Sequence, residues 1–173
     1  MTTETRKRIC VVGSSNMDLV TYTGRHPKIG ETIIGTDFKL GFGGKGANQA
    51  VQAAKLGAQV TMVTRVGDDE FGRTTLENYK LIGVDVSHVS VSPKMPTGVA
   101  QITVDSHGRN SIIIVPGANG ALSPADVEAA RGVIRDSSVV ICQLECSLAA
   151  TVSALRVANA EKVFTIMKPA PAP

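Results

Sequence analysis

Short β-branched runs alternate with helix-patterned segments along this 173-residue chain, and few architectures accept that order. The segments "RICVVG" (8–13), "AQVTMVTRVG" (58–67), "SSVVICQLE" (137–145) and "KVFTIM" (162–167) read as strands, the first and third of them as buried ones. Between them, "GANQAVQAAKLG" (46–57) places Ala47, Ala50, Val51 and Ala54 at i, i+3, i+4 and i+7, with Gly57 as its stop. The segment "DDEFGRTTLENYKLIG" (68–83) opens on acidic residues, closes on Gly83 and presents Phe71, Leu76 and Tyr79. In "LSPADVEAARGVI" (122–134), Ser123 reads as an N-cap, with Pro124 at the first helical position, where its missing N–H costs nothing. A last helix, "SLAATVSALRVANA" (147–160), puts Leu148, Val152 and Leu155 on one face. Buried strands joined by helices predict an α/β, doubly wound, mostly parallel sheet.

Two segments break the alternation. From about 20 to 42, apolar and polar residues alternate between Pro and Gly breaks, which predicts short strands with one exposed face. From about 96 to 115, "TGVAQITVD" and "NSIIIV" flank "SHGR" and predict a hairpin. Together they predict a small antiparallel β lid inserted into one domain that covers residues 1–173.

Composition removes several function classes. Hydrophobic residues at 43% and charged residues at 19% fit a chain with its own core. Aromatics at 3% are too few for a nucleic-acid stacking platform, and a net charge of +3 without a long basic run is no phosphate-backbone footprint. The "TRKR" at 5–8 reads as a solvated tail, and "PAPAP" (169–173) as an extended one. No apolar run approaches the roughly 18 residues that span a bilayer, and the opening apolar stretch is too short for a signal peptide. The expectation is therefore a cytoplasmic protein, with the nucleus also open to it, and with neither nucleic acid nor membrane as partner. Cys10, Cys142 and Cys146 lack metal-site or disulfide spacing, so no metal ligands are assigned; Cys10 and Cys142 read as reduced core residues.

The chemistry gathers around "LGFGGKGANQA" (40–50). Its glycines nearly satisfy two phosphate motifs. Gly41, Gly43 and Gly46 match G-x-G-x-x-G, but "GTDFKL" before them alternates like a half-exposed strand instead of closing a buried one. A P-loop would need glycine at position 39, where Lys39 stands, and a hydroxyl residue where Gly46 stands. What remains is a helix start with N–H groups free to meet oxygen atoms, Lys45 at its mouth, and Asn48 one turn in. That set suits a hydroxyl-rich ligand at least as well as a phosphate; a flexible loop with a solvated lysine is the other reading. Asn16 and Asp18 follow the first strand, and Glu145 ends "VVICQLE". Carboxyl ends of strands line the ligand crevice of an open α/β sheet, and ionised carboxylates accept from sugar hydroxyls. Taken alone, Asn16 and Asp18 also fit a turn or cap, and Glu145 a surface position.

In order, these motifs resemble the ribokinase family of carbohydrate kinases. "VVGSSNMDLV" resembles its first strand with an Asn-x-Asp sugar clamp, "GGKGANQA" its first signature, and "VTRVGDDEFG" its Val-Gly-x-Asp-x-x-Gly segment. "TGVAQITVDSHGRNSIIIVPGAN" is similar to its lid hairpin and the return to the core, and "CQLE" to the strand bearing a sugar-binding Glu. The resemblance runs from about Cys10 to Ala172. It implies a ribokinase-like core with a lid that covers the sugar and commonly forms a homodimer contact. It implies ATP-dependent phosphorylation of D-ribose to D-ribose 5-phosphate, assisted by Mg²⁺ and K⁺. By position, Asn16, Asp18, Gly44, Lys45, Asn48 and Glu145 would hold the sugar, and Gly43 would let the backbone approach it.

The resemblance also implies a late Gly-Ala-Gly-Asp, whose Asp is the base and whose turn is the anion hole. None of Gly46-Ala47, Gly57-Ala58, Gly117-Ala118 or Gly120-Ala121 continues to Gly-Asp. The expectation is that the base, the adenine pocket and the cation loop lie beyond Pro173, so that the C-terminal part of the fold is missing and the chain is inactive alone. No catalytic residue is assigned within it. Lys168 stands where the family has Asn before "PAPA". Asp68 and Asp69 read as helix-start residues, not substitute bases. Two other readings stay open: a non-catalytic form that dimerises with the full-length enzyme through the lid, and a dinucleotide-binding enzyme.

Overall fold

A computed structural model describes residues 7–171. Thr5 and Arg6 of the expected tail, and Ala172 and Pro173 of the expected extended end, lie outside the described residues. Five parallel strands form the core sheet: β1 (Arg8–Val12), β4 (Gln59–Gly67), β5 (Val84–Ser92), β8 (Val139–Gln143) and β9 (Phe164–Lys168). Their order is β5-β4-β1-β8-β9, so the chain moves outward on one side of β1 and then on the other. This reversal opens a crevice at the carboxyl ends of β1 and β8.

Alternation along β1 sends its side chains to two cores. Val11 packs with α1 (Lys45–Lys55) and α2 (Glu70–Ile82) through Ala47, Ala50 and Tyr79. Cys10 and Val12 pack with Leu122, Val127, Ile134, Ala150 and Ala154 on the other face. That face is covered by α3 (Pro124–Ala129), α4 (Arg131–Arg135) and α5 (Leu148–Ala160). All three cysteines are free, and burial pushes the Cys10 and Cys142 thiols up to about 12.

Local signals place the helix ends. Asp69 caps α2 by accepting from the Gly72 N–H, and Ser123 and Asp126 form a reciprocal capping box at α3. The expected face of α5 is corrected. Leu148 is 65% exposed, and the buried stripe is Ala150, Thr151, Ala154, Val157 and Ala158. Small residues let the helix lie close to the sheet, which turns Leu148 and Val152 outward, while Leu155 of the expected face does pack against the core.

The lid is a second sheet of β2 (Asn16–Tyr22), β3 (Asp37–Gly43), β6 (Gly98–Val104) and β7 (Asn110–Val115), in the order β3-β2-β6-β7. It is mixed, not purely antiparallel, because β2 and β6 run parallel. The hairpin partners β2–β3 and β6–β7 are antiparallel, and joining the two pairs side by side brings β2 and β6 together in the same direction. The sheet begins at Asn16, before the expected 20, and residues 23–36 carry no strand. In that span Pro27 and Gly30 interrupt any ladder. Among the described residues, no helix is long and apolar enough to cross a membrane.

Candidate functional site

The crossings between core and lid build the site. The chain leaves β1 at Gly13, passes Ser14 and Ser15, and enters the lid at Asn16; it returns through Gly43 and Gly44 into α1. Gly44 has φ 92° and ψ 138°, a region that side-chain-bearing residues avoid, and the Ser14 and Asn16 backbones press against it. Gly43 abuts the Asp18 carboxylate so closely that any Cβ there would collide with it. Both glycines therefore answer a steric demand from the strand opposite.

Glu145, just past β8, reaches into this junction. Its Oε1 accepts from Lys45 Nζ at 2.7 Å, and its Oε2 accepts from the Lys45 backbone N–H at 2.7 Å and from Ser14 Oγ at 2.6 Å. Ser14 also accepts from the next two helix N–H groups, Gly46 at its Oγ and Ala47 at its carbonyl. The expectation that the start of α1 offers free N–H groups to a ligand is thus corrected: Glu145 and Ser14 occupy the N–H groups of Lys45, Gly46 and Ala47. Burial pushes the Glu145 carboxyl up, but the hydrogen bonds from Lys45 and Ser14 outweigh it and hold it below its ordinary value. Among the described residues, Asp18 has no such partners. Burial, and then the nearby Glu145 charge, push its carboxyl above its ordinary value.

These groups border an open cavity of about 170 Å³. Asn16, Asp18, Gly44, Lys45, Asn48 and Glu145 line it, so the structure brings together residues drawn from three distant parts of the chain. Gly43 stands behind Asp18. The lid contributes Ala100, Ile102, Ile112 and Ile114, which sequence reading did not assign to the site. Their signal was the period-two pattern of the hairpin, which gave the strands but not the face that turns inward. Asn119 and Ser14 were missed too. Nothing local to "PGANG" or "GSSN" says that their side chains converge.

A larger cavity of about 610 Å³ lies at the opposite, amino ends of β1, β4 and β5 against α3 and α4. Size does not make it the better candidate: the smaller cavity stands at the strand carboxyl ends with converging donors and acceptors. The glycine-rich G-x-G-x-x-G match sits at the end of lid strand β3, which pairs antiparallel with β2, so it does not close a buried parallel strand as a dinucleotide site requires. Among the described residues, no group of three or more His, Cys, Asp or Glu could hold a metal ion. No residue here is therefore assigned to Mg²⁺ or K⁺. Asp69 is engaged structurally, accepting from the Thr97 N–H and hydroxyl as well as from Gly72.

Residues 6–173 match the pfkB family carbohydrate kinase description, and the chain belongs to that family. It is 48% identical to the ribokinase of Dictyostelium discoideum over 87% of its length and to that of Mus musculus over 95%, covering 48% and 51% of those proteins. Among solved structures, ribokinase from Giardia lamblia superposes with a TM-score of 0.90 at 33% identity, over 98% of this chain and 52% of that one. Arabidopsis thaliana ribokinase complexed with ribose and ATP does so with a TM-score of 0.82 at 33% identity, over 95% of this chain and 54% of that one. The chain thus spans about half the length of the curated relatives it matches.

Proposed function

We propose that the cavity binds D-ribose and that the chain is the sugar-binding part of an ATP-dependent kinase that phosphorylates the sugar at its 5-hydroxyl. The observation that carries this reading is the convergence of Asp18, Asn16, Asn48 and the Lys45–Glu145 pair in one small cavity roofed by Ile102, Ile112 and Ile114. An acceptor-only carboxylate beside amide and ammonium donors suits a compact polyol, and the lid isoleucines add an apolar wall beside them. The ribokinase relatives, and the Arabidopsis protein seen with ribose and ATP, support the same choice.

The base and the nucleotide site are no part of these residues, because the sequence carries no Gly-Ala-Gly-Asp. In this reading, ATP, Mg²⁺ and K⁺ are held by chain outside the 173 residues. The purified chain then binds sugar and does not turn over ATP. Calorimetry with D-ribose tests the central point. Wild-type protein is expected to bind and Asp18→Ala to lose binding; equal affinity in the two would overturn the assignment.

The lid leaves Phe38, Leu40 and Ile113 more than half exposed, an apolar surface that fits a second copy of the chain in a homodimer or the full-length enzyme in a mixed one. Light scattering of wild type against Ile113→Lys tests this, a monomer from both being the adverse result. A reducing compartment such as the cytoplasm suits the three free cysteines.

A further inference from the structure

We infer that Asn119 is a positioning residue that fixes which end of the Asn16 carboxamide faces the cavity, an inference that rests on the sugar-binding reading of that cavity. Asn119 belongs to a short 3-10 helix, Gly117–Ala121, that follows β7 where the lid rejoins the core. The Ser15 backbone N–H can only donate. It lies 2.8 Å from one end of the Asn119 carboxamide, which must therefore be the oxygen. The other end is then an NH₂ group. It sits 3.0 Å from the Ser15 carbonyl, 3.0 Å from the Pro116 carbonyl and 2.7 Å from the Asn16 carboxamide. An NH₂ group cannot accept, so the Asn16 atom that meets it is the oxygen.

The Asn16 NH₂ group must then point the other way. Among the described residues it has no protein acceptor, and Asn16 lines the cavity. Asn119 and Asn16 are 1% and 2% exposed, so bulk water does not scramble the pair. Gly98 leaves room for this contact: a Cβ there would collide with both Asn119 Nδ2 and Asn16 Oδ1. The cavity thereby receives a fixed donor from Asn16 two residues from the acceptor Asp18. Its ligand must offer an oxygen to the first and a hydroxyl to the second. Asn119 touches no ligand, yet it sets the polarity of the site from the returning arm of the lid.

Two substitutions separate this role from a merely structural one. Asn119→Asp keeps an acceptor for the Ser15 N–H but turns the donor end into an acceptor, so the Asn16 carboxamide has to swing its NH₂ away from the cavity. Asn16→Asp keeps the bond from Asn119 and removes the cavity donor directly. Each is expected to weaken D-ribose binding about tenfold in calorimetry. In ¹⁵N-labelled wild-type protein without ligand, the Asn119 NH₂ is expected to be protected from hydrogen exchange and the Asn16 NH₂ to exchange quickly, becoming protected when D-ribose is added. In Asn119→Asp the Asn16 NH₂ is protected without sugar. A protected Asn16 NH₂ in ligand-free wild type would overturn the inference, as would undiminished ribose affinity in folded Asn119→Asp. If Asn119→Asp does not fold, the wild-type exchange pattern decides alone. Wild-type protein with the expected exchange pattern but no ribose affinity would uphold the amide orientation and sink the sugar reading instead.

Discussion

The Lys45 ammonium lies 2.7 Å from the Glu145 carboxylate, a residue 100 positions away, and the same carboxylate caps the Lys45 backbone N–H. One side chain thus holds the helix start and the cation at its mouth together. Replacing it by Glu145→Gln keeps a cap but loses the ion pair, and should cost about 2 kcal/mol, read in urea unfolding. The Glu145 carboxyl is held below its ordinary 4.5, so its contribution is present above that pH and is lost as pH falls through the lower folded value. The difference between wild type and variant should therefore shrink below pH 4.5. A difference that stays constant to pH 3 would contradict the ion pair.

Asp18 behaves in the opposite sense. Its carboxyl is raised above 3.8, so the ionised form costs stability at neutral pH, and that cost is relieved as pH falls through the folded value. Asp18→Asn should therefore raise the thermal midpoint at pH 7 while weakening D-ribose binding about 100-fold, since a charged acceptor is lost. Wild-type ribose affinity should begin to fall at a pH above 3.8, where an ordinary aspartate is still ionised. A variant both less stable and unchanged in binding would refute the assignment.

A Cβ at Gly43 would strike the Asp18 carboxylate, so a side chain there has to push that carboxylate aside. Gly43→Ala should reduce D-ribose affinity at least about tenfold by displacing that carboxylate. In the double variant with Asp18→Asn the two losses should not add, since both act through one group. Additive losses in calorimetry would place the effect of Gly43 elsewhere.

Asp126 ties three elements together away from the site. It accepts from Arg65 at 2.7 Å and from Ser90, and closes the capping box with Ser123. Burial pushes its carboxyl up, but the Ser123 and Arg65 hydrogen bonds win and hold it at about 2. Asp126→Ala should cost about 3 kcal/mol in unfolding and leave ribose affinity unchanged in any sample that folds. The stabilisation is present above pH 3.8 and disappears as pH falls from there towards about 2. A large change in ribose affinity would show that this network reaches the cavity.

Much of this molecule was legible in one dimension. The periodicity of "GANQAVQAAKLG" and the stop at Gly57 gave α1, and Ser123-Pro124 gave the start of α3, because caps and short-range patterns act over a single helical turn. The face of α5 was not legible: Leu148 and Val152 looked like core, yet close approach to the sheet selected Ala150, Ala154 and Ala158. The pairing of β2 with β6 was also hidden, since Asn16 meets Gly98 across 82 residues and no local signal encodes that partnership.

The sequence by itself determined the alternation of strands and helices, and it singled out Asn16, Asp18, Gly44, Lys45, Asn48 and Glu145, the residues that line one cavity. Only the tertiary structure decided that Glu145 and Ser14 consume the N–H groups of α1, that the isoleucines of the hairpin roof the cavity, and that Asn119 orients Asn16. The physical reason is range. Backbone preference and periodicity act between near neighbours, whereas hydrogen-bond polarity in a buried junction is set by whichever distant group the fold delivers there.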